Sequence, residues 1–278
     1  MPPHPSARPL PVRTVAFEYP DDLQLGWNPS LPEAACAANA ISLLMPHVEP
    51  YFVKSVRATL DDLDEPLRAR TEAYMRQELQ HHRQHRRFND LLALQCPQVR
   101  RLEAIFRRVY GWFGRTRTRR FNVAFAAGSE TIAFGIAKWI DRHADTLFDR
   151  ADPVVTTLFL WHLAEEVEHK TAAFDVFEAT DGSRRRYAWA TTVSAVLLLA
   201  FTVLGSLVML RSLRRLRYPV TWFRLTRWAI SLSFTLLPTL AVSALPGHHP
   251  SELNDPPFLT QWLRGYDPVT ATMPLWRQ

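Results

Sequence analysis

Cysteine, lysine and glycine are scarce in this chain. Of its 278 residues two are cysteine, three are lysine (Lys54, Lys138 and Lys170) and nine are glycine. Cys36 and Cys96 lie far apart with no CxxC or Cys/His finger spacing, so they read as ordinary thiols in a reducing compartment. No Gly-rich phosphate loop is present. Strand-like alternation is hard to find. The N-terminal MPPHPSARPLPVRTV has no apolar core of signal-peptide length, and its prolines predict a loose arm.

Arginine and long apolar runs are abundant. Hydrophobic residues make up 47% of the chain, enough for a sizeable core, and the length suits one large domain or two small ones. The net charge of +6 is almost wholly arginine. Such a balance fits nucleic acid or an anionic membrane surface. Arg184, Arg185 and Arg186 precede one apolar run, and Arg211, Arg214, Arg215 and Arg217 follow it, which favours the membrane. No groove-reading motif accompanies the charge, so no nucleic-acid partner is expected.

The periodicity predicts an all-α protein. Residues 1–30 form an irregular arm. Helices are expected over 32–60, 65–95, 99–112, 118–143 and 151–178, making a helical domain over 31–183. Asp152-Pro153 and Asp181-Gly182 read as breaks. Tyr187 to Leu210 is a run of 24 residues without a charge, and a bilayer core needs about 20 apolar residues in a helix. Trp228 to Leu245 is a second such segment, with Pro238 inside it. Together they predict an apolar helical hairpin over 184–246 that spans, dips into or avoids a membrane. The arginines of 211–227 favour a cytoplasmic link, those of 184–186 argue the other way, and a re-entrant hairpin satisfies both. A Pro-rich tail with one short helix follows over 247–278. The expected location is membrane-associated, with the helical domain on the cytoplasmic side.

One stretch carries chemistry. In WHLAEEVEHK, His162, Glu166 and His169 are spaced by four and three, so a helix presents them on one face. QELQHHRQHRRFN repeats the spacing with Glu78, His81 and His85. Both segments hold an ExxH pair. A lone acid in an apolar helix precedes each: Glu49 in SLLMPHVEPYFVKSV, and Glu130 in FNVAFAAGSETIAFGIAKWI. A buried acid is costly unless it is paired or metal-bound. The order E, ExxH, E, ExxH matches a dimetal-carboxylate site inside a ferritin-like four-helix bundle. Glu165 and Glu168 point off the stripe, as groups behind it or in solvent. His82 falls off the site, and His4, His47 and His143 read as ordinary surface or interface histidines. Pro50, directly after Glu49, marks a kink or a helix's first turn. Carboxylate and imidazole without thiolate suit two ions, iron first, with manganese or zinc as alternatives.

Glu49, QE-x-x-H-x-x-x-H with Asn89, Glu130 and WH-x-x-EE-x-EHK-x-x-AFDVF together resemble the bacterial family named predicted metal-dependent hydrolases. The resemblance runs from about 30 to about 265 and takes in PGHHP at 246–250, with His248 where the family has Phe. The stripe from His162 to His169 is also similar to the last ligand helix of di-iron N-oxygenases that act on p-aminobenzoate. The resemblance implies Glu49, Glu78, His81, Glu130, His162, Glu166 and His169 as ligands; it gives His85 no role, and His85, Asn89 and Glu165 are read as groups behind the ligands or as further ligands.

Three functions are expectations at this point. The favoured one is an O2-dependent di-iron oxygenase or oxidase, an oxidoreductase acting on a small apolar or lipid-like substrate with an electron donor. The alternative is a hydrolase in which two metals activate water. The third is a non-catalytic, membrane-attached ferritin-like protein. Membrane lipid is an expected partner, and a homodimer is left open.

Overall fold

A computed structural model describes residues 10–276. Among these the chain is all-helical, with one isolated bridge between Asp267 and Thr272 and no strand. The helices are α1 (Pro32–Arg57), α2 (Glu65–Gln95), α3 (Val99–Thr116), α4 (Arg119–Leu147), α5 (Pro153–Glu168), α6 (Ala172–Thr180), α7 (Arg184–Ser212), α8 (Pro219–Ser243) and α9 (Pro257–Leu263).

Local chemistry sets several starts. Asp64, Thr118 and Asp152 cap α2, α4 and α5 by accepting from backbone N–H groups of the first turn. Proline stands in the first turn of α1, α2, α5 and α8, where its missing N–H costs nothing. Gly182, at φ +63°, turns the chain between α6 and α7. Helix α1 runs unbroken through Pro46 and Pro50, so Glu49 lies deep in it rather than at a first turn.

Two expectations are corrected. The arm is not loose over its described part. Leu10, Val15, Phe17, Leu23, Leu25 and Trp27 are buried, and Gln77 and Gln84 of α2 donate to the carbonyls of Pro11 and Val15. The single helix expected over 151–178 is broken. α5 ends at Glu168, His169 is its C-cap, and the chain re-enters helix at Ala172. Lys170 reaches the Leu253 carbonyl and Asp255, which ties this break to the C-terminal segment.

The apolar pair also sits differently from a free-standing hairpin. Helix α7 packs along both α4 and α1, whereas α8 packs chiefly on α4. The backbones meet closely: a Cβ on Gly128 of α4 would fall 2.2 Å from Thr191 Oγ1 of α7, and one on Gly205 of α7 would fall 2.7 Å from the Ala40 methyl of α1. Helices α4, α7 and α8 are long and apolar enough to cross a membrane by length and composition. They differ in burial: α4 is mostly covered by protein, while Phe223, Ile230, Phe234 and Leu237 of α8 face outward.

Candidate metal centre

Four segments converge on one buried point. Helix α1 brings Glu49, α2 brings Glu78, His81, His85 and Asn89, α4 brings Glu130, and α5 with its C-cap brings His162, Glu165, Glu166 and His169. All of these side chains are buried. Two sets could each hold an ion: Glu78, His81, Glu166 and His169, and Glu49, His81 and His162, with ligand atoms within 4.8 Å of one another. Six of the seven expected ligands fall in these sets. Glu130 stands just outside both. Its Oε2 accepts from His169 Nδ1 at 2.9 Å and its Oε1 from the Tyr74 hydroxyl at 2.6 Å, so both oxygens have a partner.

Hydrogen bonds fix how the histidines face. His81 Nε2 donates to Glu165 Oε2 at 3.0 Å, which leaves Nδ1 as a lone pair. His169 spends its Nδ1 proton on Glu130, which leaves Nε2. For His162 the tautomer follows from a relay. Ser42 donates its one proton to Asn89 Oδ1 at 2.6 Å, and Asn89 is held in turn by donating to the Ser42 carbonyl. Ser42 Oγ therefore accepts from His85 Nδ1 at 2.8 Å. His85 Nε2 then accepts from His162 Nδ1 at 2.6 Å, and His162 Nε2 is left as a lone pair. His85 and Glu165 each hydrogen-bond one of these rings, and Asn89 bonds Ser42 behind His85.

The three nitrogens gather round one atom. Glu166 Oε1 lies 2.9 Å from His162 Nε2, 3.8 Å from His81 Nδ1 and 3.9 Å from His169 Nε2. His81 Nδ1, His169 Nε2 and both oxygens of Glu49 and of Glu78 are buried without a hydrogen-bond partner. Buried polar atoms normally have partners. Lone pairs turned toward lone pairs repel, and a cation removes the conflict. These residues fit a divalent metal.

The electrostatics agree. Burial first, then neighbouring carboxylates, pushes Glu49, Glu78 and Glu166 well above the ordinary carboxylate range. Burial and then neighbouring imidazoles hold His81 and His85 well below theirs, and His162 at about 3. For His169 burial acts downward, but Glu130 and Glu166 outweigh it and hold the ring at about 9, so without a cation Nε2 also carries a proton, which an ion bound there would displace. A resident cation would reverse the raised carboxylates.

Two residues escape a reading of helical stripes. Arg13, in the arm, donates to Glu165 Oε1 at 3.0 Å and to both oxygens of Glu168 at 2.8 and 3.0 Å. Burial raises Glu165, Arg13 opposes that, and the carboxyl sits at about 7. Tyr74 is the second, and it had a signal: it precedes Glu78 by four residues on the same face of α2. His47, His82 and His143 are half-buried and off the site, and His4 lies outside the described residues.

The model of the family described as predicted metal-dependent hydrolase matches residues 11–254. The chain belongs to that family. No curated protein and no solved structure matches it. For this member of the predicted metal-dependent hydrolases, the preference for an oxidoreductase is overturned, because the family is described by hydrolysis. The same carboxylates and imidazoles serve redox and Lewis-acid ions alike, so the ligand pattern did not separate the two. Nothing found supports the likeness to di-iron N-oxygenases.

Proposed function

We propose that this chain is a metal-dependent hydrolase that cleaves an ester- or amide-type bond in an apolar substrate. The observation that carries this reading is the convergence of three imidazole nitrogens and the unpartnered carboxylates of Glu49 and Glu78 on Glu166. Glu78, His81, Glu166 and His169 would hold one ion, and Glu49 and His162 a second, with Glu166 central to both. We read α1, α2, α4 and α5 as a ferritin-like four-helix arrangement around the pair. Two divalent ions there would supply Lewis-acid chemistry, polarising a carbonyl and acidifying water. Imidazole and carboxylate without thiolate suit manganese, iron or zinc.

The chain's own residues do the rest. Glu165, Glu130 and His85 hold the three ligand rings in one orientation each. Glu49 lines the adjoining cavity and has both oxygens unpartnered. It is placed to accept the proton released as water adds to the carbonyl carbon. The carbon–oxygen or carbon–nitrogen bond then breaks, and that proton leaves with the departing group. The cavity beside Glu49, His162 and Glu166 is lined almost wholly by apolar side chains, which favours an apolar substrate. The exposed apolar faces of α7 and α8, set beside the arginines of 184–186 and 211–227, favour attachment to an anionic membrane surface.

The test is reconstitution. Full-length protein is stripped with a chelator, then reloaded with zinc, manganese or anaerobic ferrous iron and assayed against chromogenic acyl esters, anilides and phosphoesters. Hydrolysis that returns with the metal and vanishes in a folded Glu166→Ala variant is the expected result. No turnover of any of these classes by any reloaded form would refute the reading.

A further inference from the structure

The cavity next to the metal centre is a cleft with a definite shape. Its floor is α1 and α4, and its walls are α7 and α8, which both lean on α4 and scarcely touch each other. Along α1 the lining runs from Glu33 through Ala37, Ile41 and Met45 to Glu49. That stripe spans sixteen helical steps, or roughly 24 Å at a helical rise of 1.5 Å. The volume is about 560 Å³. The cleft is long and lined almost wholly by apolar side chains.

Its polarity is one-ended. Glu33 is occupied by Thr221 and Arg224, and Ser129 and Ser194 bond each other. Among the buried atoms of the lining, the side-chain polar atoms without partners are the two Glu49 oxygens, beside His162 and Glu166. The other end and the middle are walled by residues such as Ile136, Ile140, Leu198, Leu225 and Leu232. The cleft also opens sideways. Leu199 and Val203 of α7 and Trp222 of α8 belong to its lining, yet are 64%, 48% and 48% exposed. Phe223, Phe234 and Leu237 of α8 are exposed as well.

We infer that the cleft binds a long hydrocarbon chain, entering between α7 and α8, with the polar end of the amphiphile held at Glu49, His162 and Glu166. This deepens the hydrolase reading and rests on it for the reaction: the substrate class becomes a long-chain acyl ester or amide. At roughly 1.2 Å per bond of an extended chain, the floor accommodates about 20 bonds.

Binding of straight-chain fatty acids of 8 to 20 carbons to the metal-loaded full chain tests this, by displacement of a fluorescent fatty acid. Affinity should tighten roughly fourfold per added methylene, the value of about 0.8 kcal/mol per buried CH2, and level off near 16 to 20 carbons. Ala37→Trp fills the floor roughly 18 Å from Glu49 and should move the plateau to about 14 carbons, with metal content unchanged. Ala133→Phe on the α4 floor is the second blocking variant. Affinity independent of chain length would overturn the proposal. So would a length dependence that both variants leave in place. Length-dependent binding with no ester turnover would leave the chain site standing and remove the hydrolase. Turnover without length dependence would do the reverse.

Discussion

Replacing Arg13 by alanine should weaken a metal site that Arg13 does not touch. Its guanidinium bonds Glu165 and Glu168, and the other Glu165 oxygen accepts from His81 Nε2 at 3.0 Å. Removing one partner of a fully buried ion pair costs about 3–5 kcal/mol. Here Arg13 is 12% exposed, Glu165 keeps His81, and a carboxyl at about 7 can take up a proton. Those reliefs bring the expected cost to about 2 kcal/mol, a fall of roughly 5 °C in Tm. With Glu165 free to turn, the His81 ring loses its fixed orientation. Loss of such a supporting contact weakens metal binding by roughly 10–100-fold, and Arg13, one contact further out, belongs at the lower end. The effect has a pH sign. Below about 7 Glu165 is protonated and needs no cation, so the variant approaches wild type. Above it the uncompensated charge is exposed, and the loss deepens. Arg13→Lys keeps the charge but not the fork, and should fall between. Competition with a chromophoric chelator, run beside thermal unfolding at pH 6 and 8, reads both quantities. Wild-type metal affinity in Arg13→Ala at both pH values, with Glu165→Gln impaired, would refute the linkage.

Three further outcomes follow from the same structure. Glu130→Ala should keep both ions and weaken binding by roughly tenfold, because Glu130 orients His169; metal analysis showing one ion lost would instead make it a direct ligand. Burial and mutual repulsion raise Glu49, Glu78 and Glu166, so an ion must expel protons to bind. Apparent affinity should fall as pH drops through and above the ordinary carboxylate range, and calorimetry in two buffers should show proton release; no release would contradict the raised carboxyls. Phe234→Glu with Leu237→Glu removes two outward apolar groups of α8 and should cut binding to anionic vesicles at least tenfold without unfolding the chain; unchanged sedimentation with vesicles would discard α8 as the attachment face.

What was legible follows from where the signal is periodic. α2 was readable at both ends, since Asp64 and Pro66 open it and its Glu78–His81–His85 stripe keeps one face. Glu49 and Glu130 were readable because an acid is conspicuous in an apolar helix. The break after Glu168 was not. No Gly or Pro marks it, and Lys170 is drawn out by Leu253 and Asp255, far along the chain. Arg13 was hidden for a similar reason: it lies in a Pro-rich arm with no period, and only the fold sets it on Glu165. The apolar runs declared the lengths of α7 and α8. The seat of α7 depends on close approaches at Gly128 and Gly205 that composition cannot express.

The file from Asn89 through Ser42 and His85 to His162 joins three helices by single protons. Each proton has one place to go, so His162 can offer its Nε2 only while α1, α2 and α5 keep their register. An ion taken up there therefore grips the helices as much as they grip it. By mass action every tenfold excess of metal over its Kd adds about 1.4 kcal/mol against unfolding. A metal held there would be a latch on these helices, and its loss would be felt first as a loosening of the protein.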